Sequence, residues 1–351
     1  MALASALCLT LVTAACGAAA SPPSVTSGPS RPAAQASTAP ASTPPPAASA
    51  AVRTVTVAVP GVGISFLPVQ MGIAAGIFQQ EGLDLKLVNM VPPTALAALA
   101  GDQVDYVLTV AEGLRAAIRG VAPVKLVGGM TNGVDWFLYG GPDISTMQAL
   151  KGKSIGVGGA KGEVELAARA SLAAAGLDVQ RDQIGIRTGL QTPDRLSQMQ
   201  QGRLDAAVIA SPTQFKTDEL GFHRLSNIGD LVQLPIVAWA TSAKKIGSNR
   251  DDVKRVLRAS LKSIRYVQDH QDQAVASIVH DYPQQAADSL AIDMKLFSTD
   301  GELPTEGVHN WLKVYADIGE IPDANMDVSQ FEDWSMLREV QQELSIKPTA
   351  R

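Results

Sequence analysis

A glycine-rich loop at residues 158–163 carries the strongest sequence signal for binding a charged group. It follows a predicted strand and opens a predicted helix, and it contains Lys161. Backbone N–H groups at a helix N terminus bind anions, and a lysine adds a full positive charge. Glu163 and Glu165 oppose that field from the first turn of the same helix, so the sequence leaves the charge of the ligand open. The predicted ligand contacts in this loop are Gly159, Lys161 and Gly162.

Loops after the other predicted strands offer hydroxyl, carboxylate, amide and aromatic groups. Thr109 and Ser211 have an alternative role as N-caps of the helices that follow them. Trp136 and Trp239 would form an aromatic wall that favours a planar or heterocyclic ligand, although large aromatic residues in strands also fill cores. The further predicted ligand contacts are Ser65, Phe66, Thr109, Glu112, Asn132, Trp136, Ser211 and Trp239.

Residue types that support catalysis or metal binding are scarce. The two cysteines are Cys8 and Cys16, so the chain beyond residue 16 has no thiol nucleophile, thiolate ligand or disulfide. The four histidines are scattered, and the sequence has no His-x-x-x-His pair, phosphate-binding loop or Gly-x-Ser-x-Gly motif. We therefore predict no catalytic residue, no metal and no cofactor. The net charge of −5 gives no basic surface for nucleic acid.

The N-terminal region has the composition of export and anchoring signals. Residues 1–15 are uncharged and almost entirely apolar or small, which predicts a signal peptide. Residues 12–17 resemble the bacterial lipoprotein signal, so we predict lipidation of Cys16; an ordinary signal peptide cut elsewhere is the alternative. Residues 16–52, rich in Ala, Ser, Pro and Thr, predict a disordered tether. We expect an extracytoplasmic protein that the lipid on Cys16 anchors to the cell membrane.

The remainder of the chain alternates predicted strands with predicted helices. Two such series run over residues 53–143 and 144–234, and an apolar strand at 235–241 can return the chain to the first series. The alternation predicts a mostly parallel sheet, flanked by helices, in each series. We predict an α/β fold with one lobe of residues 53–143 plus 235–351, which includes helical C-terminal segments, and a second lobe of residues 144–234. A ligand would bind between the lobes, at the carboxyl ends of the strands.

Five short motifs in register carry a resemblance to a known family. They are residues 76–85 (GIFQQEGLDL), 97–105 (AALAGDQVD), 117–124 (AIRGVAPV), 150–157 (LKGKSIGV) and 201–207 (QGRLDAA). This pattern resembles the periplasmic solute-binding proteins related to nitrate-, sulfonate- and taurine-binding proteins and to the thiamine-precursor-binding (NMT1/THI5-like) family. The resemblance spans residues 54–345 and implies the two-lobed type II periplasmic-binding-protein fold.

The same resemblance implies a function as the substrate-binding lipoprotein of an ABC importer. Such a protein captures a small organic solute by hinge closure and delivers it to a permease and its ATPase; we expect a monomer. The solute classes implied are sulfonates, pyrimidine or thiamine precursors, vitamins and aromatic acids. One alternative is an enzyme on the same fold, related to pyrimidine-precursor synthases or desulfinases, which rely on cysteines that this chain lacks beyond residue 16. A sensory receptor domain is a second alternative, and neighbouring permease and ATPase genes would exclude it.

Overall fold

The computed structural model describes residues 52–60, 63–278 and 286–349. All of these residues belong to one compact unit. The predicted signal peptide at residues 1–15, the predicted lipidation site Cys16 and the predicted tether as far as residue 51 lie outside the described residues. Within the described ranges, no helix is both long and apolar enough to cross a membrane.

Strands and α-helices alternate through the first two thirds of the described chain, and helices dominate the last third. The strands are β1 (Arg53–Val59), β2 (Leu83–Asn89), β3 (Tyr106–Leu108), β4 (Val124–Gly129), β5 (Trp136–Gly140), β6 (Ser154–Gly156), β7 (Gly185–Arg187), β8 (Ala206–Ala210), β9 (His223–Asn227) and β10 (Ala238–Ser242). The helices are α1 (Leu67–Ala74), α2 (Ile77–Gln80), α3 (Pro92–Ala100), α4 (Ala111–Ile118), α5 (Glu163–Ala174), α6 (Thr192–Gln200), α7 (Thr213–Glu219), α8 (Ile228–Leu231), α9 (Ala243–Ser248), α10 (Arg250–Asp269), α11 (Gln271–Ile278), α12 (Ala286–Met294), α13 (Thr305–Asp317) and α14 (Ser335–Glu343). Short 3-10 helices cover Ile64–Phe66, Met147–Leu150 and Ser329–Phe331.

The strands form two five-stranded sheets with the same topology. The first sheet has the order β2-β1-β3-β10-β4, and the second has the order β7-β6-β8-β5-β9. In each sheet the fourth strand in this order is antiparallel to both neighbours, and the other four strands are parallel. The predicted fold class, with two mostly parallel sheets flanked by helices, is confirmed.

The two antiparallel strands are those by which the chain changes sheets. After β4 the chain crosses to the second sheet and enters it as β5, and after β9 it returns to the first sheet as β10. Residues 136–140, which are predicted to belong to the first lobe, therefore lie in the second sheet. They do so because β5 pairs over its full length with β8, between Trp136 and Gly140.

The two crossing segments are hydrogen-bonded to each other. The Thr131 N–H donates to the carbonyl oxygen of Val237 at 3.1 Å, and the Thr131 hydroxyl accepts from the Val237 N–H at 3.0 Å. The same hydroxyl accepts from the Ile236 N–H at 3.3 Å. The Met130 N–H donates to the same Val237 carbonyl at 2.9 Å, so Met130 and the buried Thr131 together join the outgoing and returning chains.

In each sheet, an aspartate just before one central strand hydrogen-bonds to the backbone of the neighbouring strand. Asp105 precedes β3, and its carboxylate accepts the Thr56 N–H of β1 at 2.8 Å. Asp205 precedes β8 and accepts the Ser154 N–H of β6, also at 2.8 Å. The repeated Gly-x-x-x-Asp and Gly-x-x-Asp motifs therefore have a structural role, because each carboxylate satisfies a backbone donor of the neighbouring strand.

The helices that face the sheets follow local sequence signals and close packing. Helix α5 is rich in alanine and ends before Gly176, whose φ of 75° is the left-handed conformation that commonly terminates helices. Helix α10 packs against α1, where a Cβ on Gly72 would lie 2.0 Å from the Ser263 hydroxyl oxygen. Helix α13 contacts both α4, which follows β3, and α5, which follows β6. It therefore bridges elements attached to different sheets.

Candidate functional site

The segments that follow β1, β3 and β4 carry five of the predicted contacts. Ser65 is buried and Phe66 half-buried in the 3-10 helix that follows β1. Thr109 follows β3 directly, and Glu112 lies in the first turn of α4. Asn132 is the third residue after β4, on the segment that crosses to the second sheet. The first sheet thus gathers polar groups of three loops at the carboxyl ends of its parallel strands.

The second sheet presents the other predicted contacts at the equivalent edge, except Trp239. Gly159, Lys161 and Gly162 lie in the loop between β6 and α5, and Ser211 follows β8. Trp136 begins β5, and its partner across the ladder is the residue immediately before Ser211. These predicted contacts therefore lie at the carboxyl ends of β6 and β8.

The loop after β6 approaches the helix that follows β3 in the first sheet. A Cβ on Gly162 would lie 3.7 Å from Glu112 Oε1. The two predicted contacts Gly162 and Glu112 are therefore neighbours, although they belong to segments attached to different sheets.

Four side chains at these edges have buried polar atoms without a hydrogen-bond partner among the described residues. The atoms are Thr109 Oγ1, Asn132 Oδ1, Ser211 Oγ and both amide atoms of Gln214. Neither Thr109 nor Ser211 caps a helix, because the N-cap positions of α4 and α7 are other residues and supply no side-chain hydrogen bond. Buried polar groups are nearly always hydrogen-bonded, so these atoms are suited to bind a polar solute.

Lys161 forms an ion pair with a carboxylate of the protein. Its ammonium contacts Glu320, which follows α13 and also contacts Arg119. Arg115 Nη1 lies 3.2 Å from the same carboxylate. These cations hold the pKa of Glu320 below its ordinary value, with the hydrogen bond from Lys161 as the main cause. The positive charge of Lys161 is therefore compensated within the protein.

Glu163 extends from the start of α5 to the first turn of α4. Its Oε1 accepts the Glu112 N–H at 3.4 Å. Burial, followed by the nearby charge of Glu112, raises the pKa of Glu163 to about 8. Burial also raises the pKa of Glu112, against the opposing effect of Arg115, whose Nη2 lies 2.5 Å from Glu112 Oε2. Two carboxyl groups on helices attached to different sheets thus lie close together, Glu112 buried and Glu163 half-buried.

Trp239 is not brought to this edge. It is fully buried in β10, with its ring centroid 5.6 Å from that of Tyr106 and 6.3 Å from that of Phe78. Its indole N–H donates to Ser260 Oγ on α10 at 2.8 Å. These contacts place Trp239 in the core of the first sheet, which is the alternative role that the sequence leaves open.

Gln214 and Glu163 are polar residues at this edge that the predicted contacts omit. Gln214 is fully buried in the first turn of α7, three residues after Ser211. Its position just after a strand, beside a residue already predicted, is the signal that could have found it. The sequence indicates Glu163 only as a residue that opposes anion binding, because no local pattern shows that α4 faces it.

The chemistry of this edge suits hydrogen bonding to an organic molecule. Its unpartnered groups are hydroxyls and amides, which are neutral donors and acceptors. In the part of the chain that the structure describes, no group of three or more His, Cys, Asp or Glu side chains has an arrangement that could hold a metal ion.

Comparison with known proteins identifies one matching family. A family model described as NMT1/THI5 like matches residues 64–274, a range that includes every predicted ligand contact. No curated protein matches the sequence significantly.

Several solved structures share the fold. The periplasmic nitrate-binding protein NrtA from Synechocystis PCC 6803 is 14% identical, with a TM-score of 0.68 over 84% of this chain and 90% of that chain. The periplasmic aliphatic sulphonate binding protein SsuA from Escherichia coli is 17% identical, with a TM-score of 0.64 over 80% and 91% of the two chains. A DszB mutant in complex with biphenyl-2-sulfinic acid is 12% identical, with a TM-score of 0.60 over 83% and 99%. At these identities the similarity establishes the fold.

Proposed function

Because the chain belongs to the NMT1/THI5-like family, we propose that it is the substrate-binding protein of an ABC importer. It captures a small organic solute between its two sheets and performs no chemistry on it. The solute classes under this proposal are sulfonates, pyrimidine or thiamine precursors, vitamins and aromatic acids. Its partners are the permease and the ATPase that drives the permease.

The observation that carries this proposal is the set of unpartnered polar atoms at the strand ends. Thr109 and Asn132 follow strands of the first sheet, whereas Ser211 and Gln214 follow a strand of the second. A solute that satisfies groups on both sheets binds the closed arrangement better than an open one. The proposed mechanism is therefore hinge closure around the solute, followed by docking on the permease.

The proposal places the protein outside the cytoplasm, attached by lipid on Cys16 and acting as a monomer. NrtA and SsuA, which share its fold, are both described as periplasmic binding proteins. The apolar N-terminal segment and the Ala/Ser/Pro/Thr-rich segment after Cys16 support an exported protein on a tether. Globomycin sensitivity of its processing in cells, read from electrophoretic mobility, tests lipidation; processing that the inhibitor leaves unchanged contradicts it.

A thermal-shift screen of the four solute classes tests the binding function. A solute that binds the folded state raises its melting temperature by mass action. Thr109→Val and Ser211→Ala should each lower the affinity for a solute found in this way by about tenfold, because each removes a hydrogen bond. Both variants should unfold at nearly the wild-type temperature, since neither hydroxyl has a partner among the described residues.

Ser277→Ala is the matched control, because its hydroxyl donates to the carbonyl oxygen of Ala274 on α11, in a region that carries none of the predicted contacts. Wild-type affinity in all three variants would contradict binding at these strand ends. Small-angle scattering with and without the solute tests closure, and identical profiles would exclude it.

An enzyme on the same fold is the second candidate function. It is favoured by the structural similarity to a DszB mutant in complex with a sulfinic acid. The absence of cysteine beyond residue 16 argues against a mechanism that needs a thiol. Release of sulfite from biphenyl-2-sulfinate by the purified chain would establish this alternative, and binding without release would exclude it for that compound.

A further inference from the structure

The helix N termini at the strand ends are already occupied by carboxylates of the protein. Glu163 Oε1 accepts the Glu112 N–H in the first turn of α4 at 3.4 Å. Glu165 Oε2 accepts the Lys161 N–H ahead of α5 at 2.7 Å, and Arg169 Nη2 lies 2.7 Å from the other oxygen of Glu165. A helix N terminus attracts anions, but one that already holds a carboxylate repels a second negative charge.

Glu163 differs from the neighbouring carboxylates because it forms no ion pair within the described residues. Glu112 is paired with Arg115, Glu165 with Arg169, and Glu320 with Lys161. The hydrogen-bond partners of Glu163 are backbone N–H groups of α4, which carry only partial charge. A half-buried carboxylate that no cation pairs with directly is costly to ionise, so it favours a positively charged partner.

Unpartnered groups at the same edge give an independent indication of a ligand. Thr109 is only 4% exposed and lies just ahead of α4, and its Oγ1 has no partner. Ser211 is 7% exposed at the corresponding end of β8, with an unpartnered Oγ. The unpartnered atom of Asn132 is its carbonyl oxygen, which only accepts hydrogen bonds. An acceptor in this position is suited to a ligand that donates a hydrogen bond.

We infer that the ligand presents a positively charged nitrogen with N–H donors to Glu163, and that Glu163 selects the charge of the ligand. This inference rests on the proposed function and narrows it, because sulfonates and aromatic acids become unfavourable. Lys161, which the sequence suggests as an anion contact, then has a structural role through Glu320.

Calorimetric titration of the purified full chain with compounds of matched shape and opposite charge tests this inference. Benzylamine and benzamidine are the cationic probes, and benzoate and benzenesulfonate are the anionic ones. The wild type should bind the cations and not the anions. Glu163→Gln should weaken cation binding by about tenfold or more, because it removes a charged hydrogen-bond acceptor. Glu306→Gln, which changes an exposed carboxylate on α13, should leave the affinity unchanged.

A pH profile adds a readout that a purely structural role would not move. The charged and titratable groups that face Glu163 are Glu112 and Arg115 on α4 and Tyr315 on α13. Benzamidine should bind more tightly as the pH rises from 6 through the Glu163 pKa of about 8, because only ionised Glu163 pairs with the amidinium. Glu163→Gln should abolish this dependence.

The outcomes separate this inference from the proposed function. Anion binding by the wild type that Ser211→Ala weakens would overturn the inference and leave the binding function intact. Cation binding that Glu163→Gln does not weaken would also overturn it alone. Failure of all four probes to bind would overturn the inference as well, whereas the binding function is decided separately by the thermal-shift screen.

Discussion

The first and second sheets share a strand order and an aspartate that hydrogen-bonds to the neighbouring strand, but their charges are arranged differently. Asp105 in the first sheet contacts Lys245, whose side chain is only 10% exposed. Asp205 in the second sheet lies 3.8 Å from Lys153, whose side chain is 46% exposed. The N terminus of α4, after β3, donates a backbone hydrogen bond to Glu163, which belongs to α5 beside the second sheet. The loop before α5 donates instead to Glu165 of α5 itself. The shared topology therefore determines where these charged side chains lie, and local burial determines how much each one contributes to stability.

The largest expected difference is in how the free energy of unfolding depends on pH, and it is between Glu163 and Glu165, the carboxylates at the two helix N termini. The folded-state pKa of Glu163, about 8, lies above its ordinary value of 4.5, so the folded protein binds more protons than the unfolded chain between these values. The free energy of unfolding should therefore fall as the pH rises from about 4.5 to about 8, by at most about 1.4 kcal/mol per pH unit. Urea unfolding at pH 5 and pH 8 measures this change.

Glu163→Gln should reduce this pH dependence to the part that comes from Glu112, whose pKa burial also raises, and Glu165→Gln should retain it in full. Glu165 is paired with Arg169, so its loss should lower stability at both pH values. If the pH dependence of the free energy of unfolding disappears in Glu165→Gln and persists in Glu163→Gln, then Glu165 and not Glu163 is the carboxyl with the raised pKa.

The two aspartates should differ by a smaller amount. Asp105→Ala should cost about 3 kcal/mol, because it leaves the mostly buried ammonium of Lys245 without its carboxylate. Asp205→Ala should cost about 1–2 kcal/mol, because it removes hydrogen bonds to Ser154 at a more exposed site. Denaturant unfolding of both variants measures the two losses, and equal losses would show that burial of the cation is not decisive.

The smallest expected difference in stability loss is between substitutions of Trp239 and Trp136. Trp239→Phe should cost about 2 kcal/mol, because it removes the hydrogen bond to Ser260 and leaves a small cavity in the first sheet. Trp136→Phe should cost about 1 kcal/mol, because it leaves a small cavity at the start of β5 but breaks no side-chain hydrogen bond among the described residues. Thermal unfolding measures both changes. A ligand affinity that falls in Trp239→Phe would return Trp239 to the binding site.

The sequence predicts individual helices better than it predicts which sheet each strand joins. The sequence predicts a helix from Glu163 to Ala175 closed by Gly176, and α5 ends only one residue earlier, because composition and the terminating glycine are local signals. Strands β5 and β9 are not predicted. The first is five consecutive buried residues without alternation, and the second, His223–Asn227, is largely polar. Membership of the second sheet depends on pairing partners distant in sequence, which periodicity does not reveal.

The candidate site can be predicted by position but not by orientation. The rule that ligands bind beyond strand ends leads to Thr109, Asn132 and Ser211, whose polar atoms are unpartnered among the described residues. The same rule does not show which way Trp239 points, because a strand with apolar residues on both faces gives no alternation. The pairing of Lys161 with Glu320 joins residues 159 positions apart, and no local pattern indicates it.

The hydrogen bonds at Thr131 have a mechanical consequence for the proposed closure. Two chain segments tied side by side behave as a flexure, which bends readily about one line and resists shear and twist. Bending leaves the bonds between Thr131 and Val237 intact, whereas sliding one segment along the other would break them. Closure along this flexure would follow a single rotational path, so the groups at the sheet edges would return to the same register each time they approach.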